Sequence, residues 1–214
     1  MSTNVYFTSD LWLGRENILK IANRPYESLE EMENDIIEKW NSIIKDDDTV
    51  YVLNNFAVDP YTAARVLRDL TGNIILMNPN SALTYAFTGD GNKDNVNLDE
   101  LITGDGKIVC TSQTIIEDAS NDVVICYWPM SEWNGKESGT LHIYGYSYPI
   151  MKGKKGKMTD IAVEDEITTG RINVCMDKWN FYPVSLKAIK SYIRNKKKIR
   201  KQNNATEKLS TISD

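Results

Sequence analysis

Short apolar runs rich in β-branched and aromatic residues recur along this chain, each bounded by residues typical of turns. They predict strands near residues 4–8, 49–54, 73–78, 107–112, 122–128, 140–147 and 171–176. Two stretches with helical periodicity separate the first three runs. This pattern predicts an α/β (α+β) fold, in which functional side chains are expected on the loops that follow the strands.

Two helices are predicted between the first three strands. Ser28 and Glu31 form a capping-box pattern that opens a helix ending near Ile44. The apolar residues of this helix recur on one face, at Met32, Ile36, Ile37 and Trp40. A second helix is predicted from about Pro60 to Leu70.

Five loop segments carry a recognisable pattern in a fixed order. They are residues 7–14 (FTSDLWLG), 52–56 (VLNNF), 76–82 (LMNPNSA), 126–129 (CYWP) and 144–148 (YGYSY). Their order and spacing resemble those of calcineurin-like metallophosphoesterases, especially the small bacterial and phage members, where these places read D-L-H-x-G-H, L-G-D-F, R-G-N-H-D, C-H-Y-P and H-G-H-S-H. The resemblance covers about residues 4–190. It implies a four-layer metallophosphoesterase sandwich, with two facing mixed β-sheets flanked by helices, in a domain of residues 1–190.

The resemblance also implies a two-metal site whose ligands have been replaced. Family members use two divalent metals to activate a bridging water and hold the phosphate. The corresponding positions here are Asp10, Trp12, Asn55, Asn80, Tyr127, Tyr146 and Tyr148, of which Asp10 and Asn80 keep the family's residue. An indole has no lone pair for a metal, an amide lacks the bridging negative charge, and a phenol with a reference pKa of about 10 resists ionisation. Ser81 and Ala82 replace the proton-donating His and its supporting Asp, so we predict no metal, no catalytic residue and no enzymatic activity.

No other motif supplies a replacement site. The chain has one histidine, His142, and its cysteines, Cys110, Cys126 and Cys175, are far apart, which argues against zinc. The acidic run at residues 46–48 lacks the spacing of a calcium loop, and no glycine-rich phosphate motif occurs. We therefore expect no cofactor.

The side chains expected at the former metal site allow two interpretations. They are Asp10, Trp12, Arg15, Asn55, Asn80, Ser81, Tyr127, Trp128, Tyr146 and Tyr148, with Tyr144 beside them. In the interpretation we favour, aromatic bulk fills the void left by the metals. In the other, the aromatic faces stack on a nucleobase and Arg15 holds a phosphate.

Charge is unevenly distributed along the chain. Residues 187–214 carry +7 and residues 1–186 carry −12, and a basic run at 196–201 extends the last helix before a polar tail, within an extension at 191–214. Because an acidic body repels a nucleic-acid backbone, nucleic acid is a disfavoured partner. No apolar run is long enough for a membrane, and we expect no targeting sequence before the first strand. Unpaired cysteines fit a reducing cytoplasm.

Three functions remain open from the sequence. The favoured one is a pseudoenzyme that binds a protein partner as an inhibitor or scaffold, as the resemblance to metal-free members of the superfamily implies. The alternatives are a nucleotide-sequestering protein that uses the aromatic pocket, and a weak residual metal-dependent phosphoesterase. The resemblance to phage members implies a phage protein acting in the cytoplasm of a bacterial host, with a host protein as its partner.

Overall fold

The computed structural model describes residues 4–77, 113–116, 122–146 and 170–210. In these residues the strands are β1 (Val5–Thr8), β2 (Thr49–Val52), β3 (Asn73–Leu76), β4 (Gln113–Ile116), β5 (Val123–Cys126), β6 (Leu141–Tyr144), β7 (Arg171–Asn173) and β8 (Val184–Ser185). The α-helices are α1 (Ile18–Ile21), α2 (Leu29–Ile43), α3 (Pro60–Leu67) and α4 (Leu186–Ser210), and 3-10 turns occupy Lys136–Ser138 and Met176–Lys178. The predicted α/β (α+β) class is confirmed.

The strands form two mixed sheets of four strands each. The first has the order β3-β2-β1-β8, in which β8 is antiparallel to β1 and the other pairs are parallel. The second has the order β4-β5-β6-β7, in which β4 is antiparallel to β5 and the other pairs are parallel. A parallel bridge between Ser9 and Cys175 links the two sheets beyond the ends of β1 and β7.

The first sheet contributes to two hydrophobic clusters. The cluster shared with the helices includes Val50, Val52, Ile74 and Leu76 of β2 and β3, Met32, Ile36 and Trp40 of α2, and Val66 of α3. The other cluster joins Phe7 of β1 to Val123, Ile125, Ile143 and Ile172 of the second sheet. One face of β2 and β3 is buried against the helices, and on the other face Tyr51 and Ile75 are partly buried against the second cluster, which explains why both strands are mostly apolar.

Both predicted helices are present, with a small difference at their ends. The Ser28 hydroxyl accepts a hydrogen bond from the Glu31 N–H at 3.1 Å, and the Glu31 carboxylate accepts one from the Glu27 N–H at 2.8 Å. The predicted capping box is therefore formed, although its reciprocal bond reaches one residue further back than usual. Helix α3 ends three residues early because its last turn tightens, with the Asp69 N–H bonded to the Val66 carbonyl.

Two strands of the structure, β4 and β8, were not predicted from the sequence. The predicted strand at 107–112 lies outside the described residues, and β4 occupies the four positions that follow. Strand β8 was not predicted, because two residues are too few to show a period, and its place is set by pairing with Tyr6 and Phe7 of β1.

Helix α4 begins in the core and continues into solvent. Ile189 and Ile193 are buried, whereas every residue at 194–200 is exposed. The basic run continues this helix as predicted, but the polar residues that follow it are also helical as far as Ser210. The predicted boundary at residue 190 therefore lies inside the helix and not at its end. Within the described part of the chain, no helix has the length and apolar character needed to cross a membrane.

Candidate functional site

The loops after β1 and β2 are joined by backbone hydrogen bonds. The Asp10 N–H donates to the Asn54 carbonyl at 3.0 Å, and the Trp12 N–H donates to the Asn55 carbonyl at 2.8 Å. Asp10, Trp12 and Asn55 all have left-handed backbones, with φ of 60°, 55° and 48°. This region is unfavourable for a bulky side chain such as tryptophan. Asp10 and Asn55 are residue types that tolerate this conformation, whereas Trp12 is held in it by tertiary contacts against its local preference.

A direct hydrogen bond joins the side chains of Asp10 and Asn55 in the buried part of the site. Both side chains are buried, and the Asn55 amide Nδ2 donates to Asp10 Oδ1 at 2.7 Å. The reverse orientation of the amide would place two oxygens against each other, so the pairing itself determines which atom faces Asp10. An N–H group thus occupies the side of Asp10 that faces the loop after β2.

Tyr127, in the loop after β5, lies over this pair. Its hydroxyl is 3.5 Å from Asn55 Nδ2, and its ring is buried. Burial raises the pKa of the Tyr127 phenol well above its ordinary value of 10, and the negative charge of Asp10 raises it further. With no cation beside it, the Tyr127 phenol is therefore neutral at physiological pH.

Three aromatic rings from two loops pack together at the site. Tyr127 makes edge contacts with Trp128 and Tyr146 at centroid distances of 4.8 and 5.6 Å, and Trp128 lies 5.1 Å from Tyr146. Trp128 is 54% exposed, although its neighbour Tyr127 is buried. The three rings therefore extend from the buried Asp10–Asn55 pair to the solvent-exposed indole of Trp128.

A second aromatic contact lies on the loop after β1. The guanidinium carbon of Arg15 sits 4.1 Å from the centroid of the Trp12 ring, which is the geometry of a cation–π interaction. Arg15 Nε also donates to the Asn17 side chain at 2.9 Å. Both Trp12 and Arg15 are partly exposed.

Seven of the ten predicted site residues belong to the described part of the chain, and the structure brings them together on adjoining loops. Asp10, Asn55 and Tyr127 meet directly, Trp128 and Tyr146 contact Tyr127, and Trp12 and Arg15 join the same loop system. Asn80, Ser81 and Tyr148 lie outside the described residues. Within residues 4–77, 113–116, 122–146 and 170–210, no group of three or more His, Cys, Asp or Glu side chains is arranged to hold a metal ion.

Arg24 supports the site from below, a role that the sequence analysis missed. Its fully buried guanidinium donates to the Asp10 and Leu11 carbonyls at 2.6 and 2.8 Å. It also forms a two-pronged ion pair with Asp177, at 2.8 and 2.9 Å. No local pattern in the sequence indicated that Arg24 is buried, and its acidic partner Asp177 lies 153 residues away in the chain.

Gly145 brings the fifth motif against the first. The Ser9 hydroxyl donates to the Gly145 carbonyl at 2.8 Å, and the Gly145 N–H donates to the Tyr127 carbonyl at 3.2 Å. A Cβ at position 145 would collide with Cβ and Oγ of Ser9. The absence of a side chain is therefore what lets the loops of the two sheets approach each other.

His142 lies on β6 and fixes the loop that carries Trp128. Its Nε2 accepts a hydrogen bond from the Met130 N–H at 3.0 Å, so Nδ1 carries the proton and donates to the Val124 carbonyl at 3.2 Å. The ring is fully buried between Trp133 and Tyr144. Burial lowers the pKa of His142 to about 4. Both nitrogens are used, and the residue acts in structure rather than as a ligand.

We expect the stability of the protein to fall between pH 6.5 and pH 4 because of His142. In this range the unfolded chain binds a proton on an imidazole of pKa 6.5, whereas the folded imidazole, with a pKa of about 4, stays neutral. The loss approaches about 3 kcal/mol near pH 4. Urea unfolding at several pH values, compared with His142→Asn, measures it. Equal pH slopes in the two proteins, or an imidazole pKa near 6.5 in the proton NMR titration of this single histidine, would contradict the assignment.

Comparison with known proteins shows the fold but not a family. No family model matches the chain. A stretch of 79 residues, 36% of this chain, is 33% identical to the uncharacterized protein MJ1445 of Methanocaldococcus jannaschii and covers 45% of that protein's length. The crystal structure of AQ665, a protein of unknown function from Aquifex aeolicus, is similar with a TM-score of 0.60 at 18% identity over 89% of this chain and 100% of that one. Such a likeness establishes the two-sheet fold alone.

Proposed function

We propose that this protein is a catalytically inactive, metallophosphoesterase-like protein that acts by binding a partner protein, as an inhibitor or scaffold. The observation that carries the proposal is the hydrogen bond from Asn55 Nδ2 to Asp10 Oδ1 at 2.7 Å. In a two-metal site both positions would present oxygen atoms to a cation. Here the Asn55 amide is paired with Asp10 through an N–H group, and an amide carries none of the negative charge that a bridging carboxylate supplies to two cations.

The arrangement of the loops supports the four-layer metallophosphoesterase sandwich as the parent fold. The resemblance requires the first, second, fourth and fifth motifs to meet at one place. The contacts of Asn55 with Asp10 and Tyr127, and of Tyr127 with Tyr146, bring together the described parts of these four motifs. Two mixed sheets sharing one hydrophobic cluster are also what that architecture requires.

The exposed part of the site favours a protein as the partner. Tryptophan, tyrosine and arginine dominate the energetics of protein interfaces. Trp128 is 54% exposed, and it is backed by the rings of Tyr127 and Tyr146, which hold it in place. Preorganised exposed aromatic groups bind at a low entropic cost. A nucleotide is the second candidate, because the indole of Trp128 and the Arg15–Trp12 pair would suit a base and a phosphate.

The absence of catalysis is tested with bis-p-nitrophenyl phosphate and Mn²⁺. We expect no turnover above the metal-only background and no thermal shift with Mn²⁺ or Zn²⁺. Robust turnover that disappears in Asp10→Ala would overturn the proposal. A matched control replaces Trp12, Tyr127, Tyr146 and Tyr148 by His and Asn55 by Asp. If the positions correspond to the family's ligands, this variant should gain about 5 °C or more in Tm at metal concentrations about a hundredfold above Kd.

The binding mode is tested by capture of partners on Trp128→Ala. We expect this variant to lose at least about 2 kcal/mol of partner affinity, a typical value for a buried interface tryptophan. Ile115→Ala, which removes an exposed apolar side chain from β4, is the matched control and should retain binding. Stabilisation of the wild type by a nucleotide, lost in Trp128→Ala, would instead support the nucleotide-binding alternative.

A further inference from the structure

Helix α2 carries an exposed face of negative charge. Its exposed carboxylates belong to Glu30, Glu31 and Glu38. At 3.6 residues per turn these three positions fall within about 100° of one another around the helix axis and extend over about 12 Å of helix. They lie opposite the face that buries Met32 and Ile36. We call these three residues the acidic stripe.

The acidic stripe has no cation on its own helix. Lys39 is the one lysine or arginine of α2, and it lies away from the stripe and is paired with Asp35. The exposed residue in the middle of the stripe, Asn34, is polar and uncharged. The stripe is therefore open to a cationic surface laid along α2.

Helix α4 carries an exposed face of positive charge. Its members are Lys187, Arg194, Lys197 and Lys198, all of them exposed. They fall within about 100° of one another around the helix axis and extend over about 16 Å of helix. The centre of this face is turned by about 120° from the side chains of Ile189 and Ile193, which are buried in the core. We call these four residues the basic stripe.

The basic stripe is unfavourable on an isolated chain. Like charges three or four residues apart on a helix repel, as Arg194 does with Lys197 and Lys198. In addition, residues 194–200 are exposed, and a helical segment without packing is marginally stable in water. An acidic surface laid along the basic stripe would relieve the repulsion and support the projecting segment.

We infer that the partner of these surfaces is a second copy of this chain, with the basic stripe of each copy along the acidic stripe of the other. Each copy carries one stripe of each sign, and the two are similar in length. Three of the four residues of the basic stripe lie in the exposed segment at 194–200, so in a twofold dimer this segment of each copy would lie along α2 of the other. The charge of −12 on residues 1–186 attracts the basic helix of another copy and repels a nucleic acid. This inference does not depend on whether the site around Asp10 is catalytic.

The test is a charge-swap experiment followed by sedimentation equilibrium. We expect the wild type to dimerise, with a Kd that rises at least about tenfold between about 50 and about 500 mM NaCl. The variant E30K/N34K/E38K reverses the acidic stripe, and R194E/K197E/K198E reverses the basic one. Glu31 is left unchanged because its carboxylate accepts the Glu27 N–H at the start of α2.

Each charge-swap variant should be monomeric and folded. Mixed in equal amounts, the two should form a heterodimer, because each then offers the stripe that the other needs. The mixture therefore separates lost charge pairing from lost folding. Lys196→Glu, on the same helix but off the basic stripe, is the matched control and should dimerise nearly as well as the wild type.

Two results would overturn the inference. One is a wild type that stays monomeric at low salt, and the other is a pair of folded variants that do not associate when mixed. A monomeric wild type that binds duplex RNA or DNA would assign the basic stripe to nucleic acid instead.

Discussion

Replacing Arg24 by methionine is expected to lower the free energy of unfolding by about 3–5 kcal/mol. The guanidinium is fully buried and is the donor for Asp177 and for the carbonyls of Asp10 and Leu11. Methionine fills similar volume but leaves these three acceptors without their donor. Urea unfolding measures the loss, and the left-handed turn of Asp10 and Trp12 should lose order with it.

Comparison with a partly exposed ion pair isolates the effect of full burial. Lys39→Met breaks the partly exposed pair with Asp35 and should cost at most about 1 kcal/mol. Adding Asp177→Asn to Arg24→Met should recover part of the loss, because it removes the uncompensated charge, although Asp177 is 24% exposed and can partly rehydrate. If Arg24→Met cost no more than Lys39→Met, the supporting role of Arg24 would be wrong.

Replacing Gly145 by alanine is expected to lower the free energy of unfolding by about 3 kcal/mol. The added Cβ would collide with Ser9 and would stand 3.2 Å from Cβ of Leu53, so the loops of the two sheets must separate. The hydrogen bond from Ser9 to the Gly145 carbonyl would be strained as well. The measurement is again equilibrium unfolding, with near-ultraviolet circular dichroism reporting the packing of Tyr127, Trp128 and Tyr146.

A variant at a different glycine, Gly139→Ala, separates the effect of steric collision from the effect of backbone strain. Gly139→Ala adds a Cβ with no atom within 4 Å, at a φ of 91°, and should cost only about 1 kcal/mol. Ser9→Gly in the Gly145→Ala background removes the collision and should restore most of the lost stability. Equal losses for Gly139→Ala and Gly145→Ala would show that close approach is not the reason for glycine at position 145.

Local patterns in the sequence predicted the elements that bury a regular face. Helix α2 follows from its capping box and its apolar period, and β1, β2, β3, β5 and β6 follow from runs of β-branched residues. Strand β8 and the early end of α3 did not follow, because each depends on bonds to a neighbouring segment or on a single tightened turn. The candidate site residues could be named from motif order, but no pattern predicted their contacts.

The sequence alone therefore determined the fold class, the loops that carry the candidate site and the side-chain types available there, because periodicity and residue chemistry are local properties. Only the tertiary structure decided that Asn55 donates to Asp10, that Tyr127 is buried while Trp128 is exposed, and that Arg24 holds the first loop from 14 residues away in the chain. These facts depend on atoms distant in sequence meeting within hydrogen-bond range. These long-range contacts follow from how the two sheets pack, which the local conformational preferences of the residues do not specify.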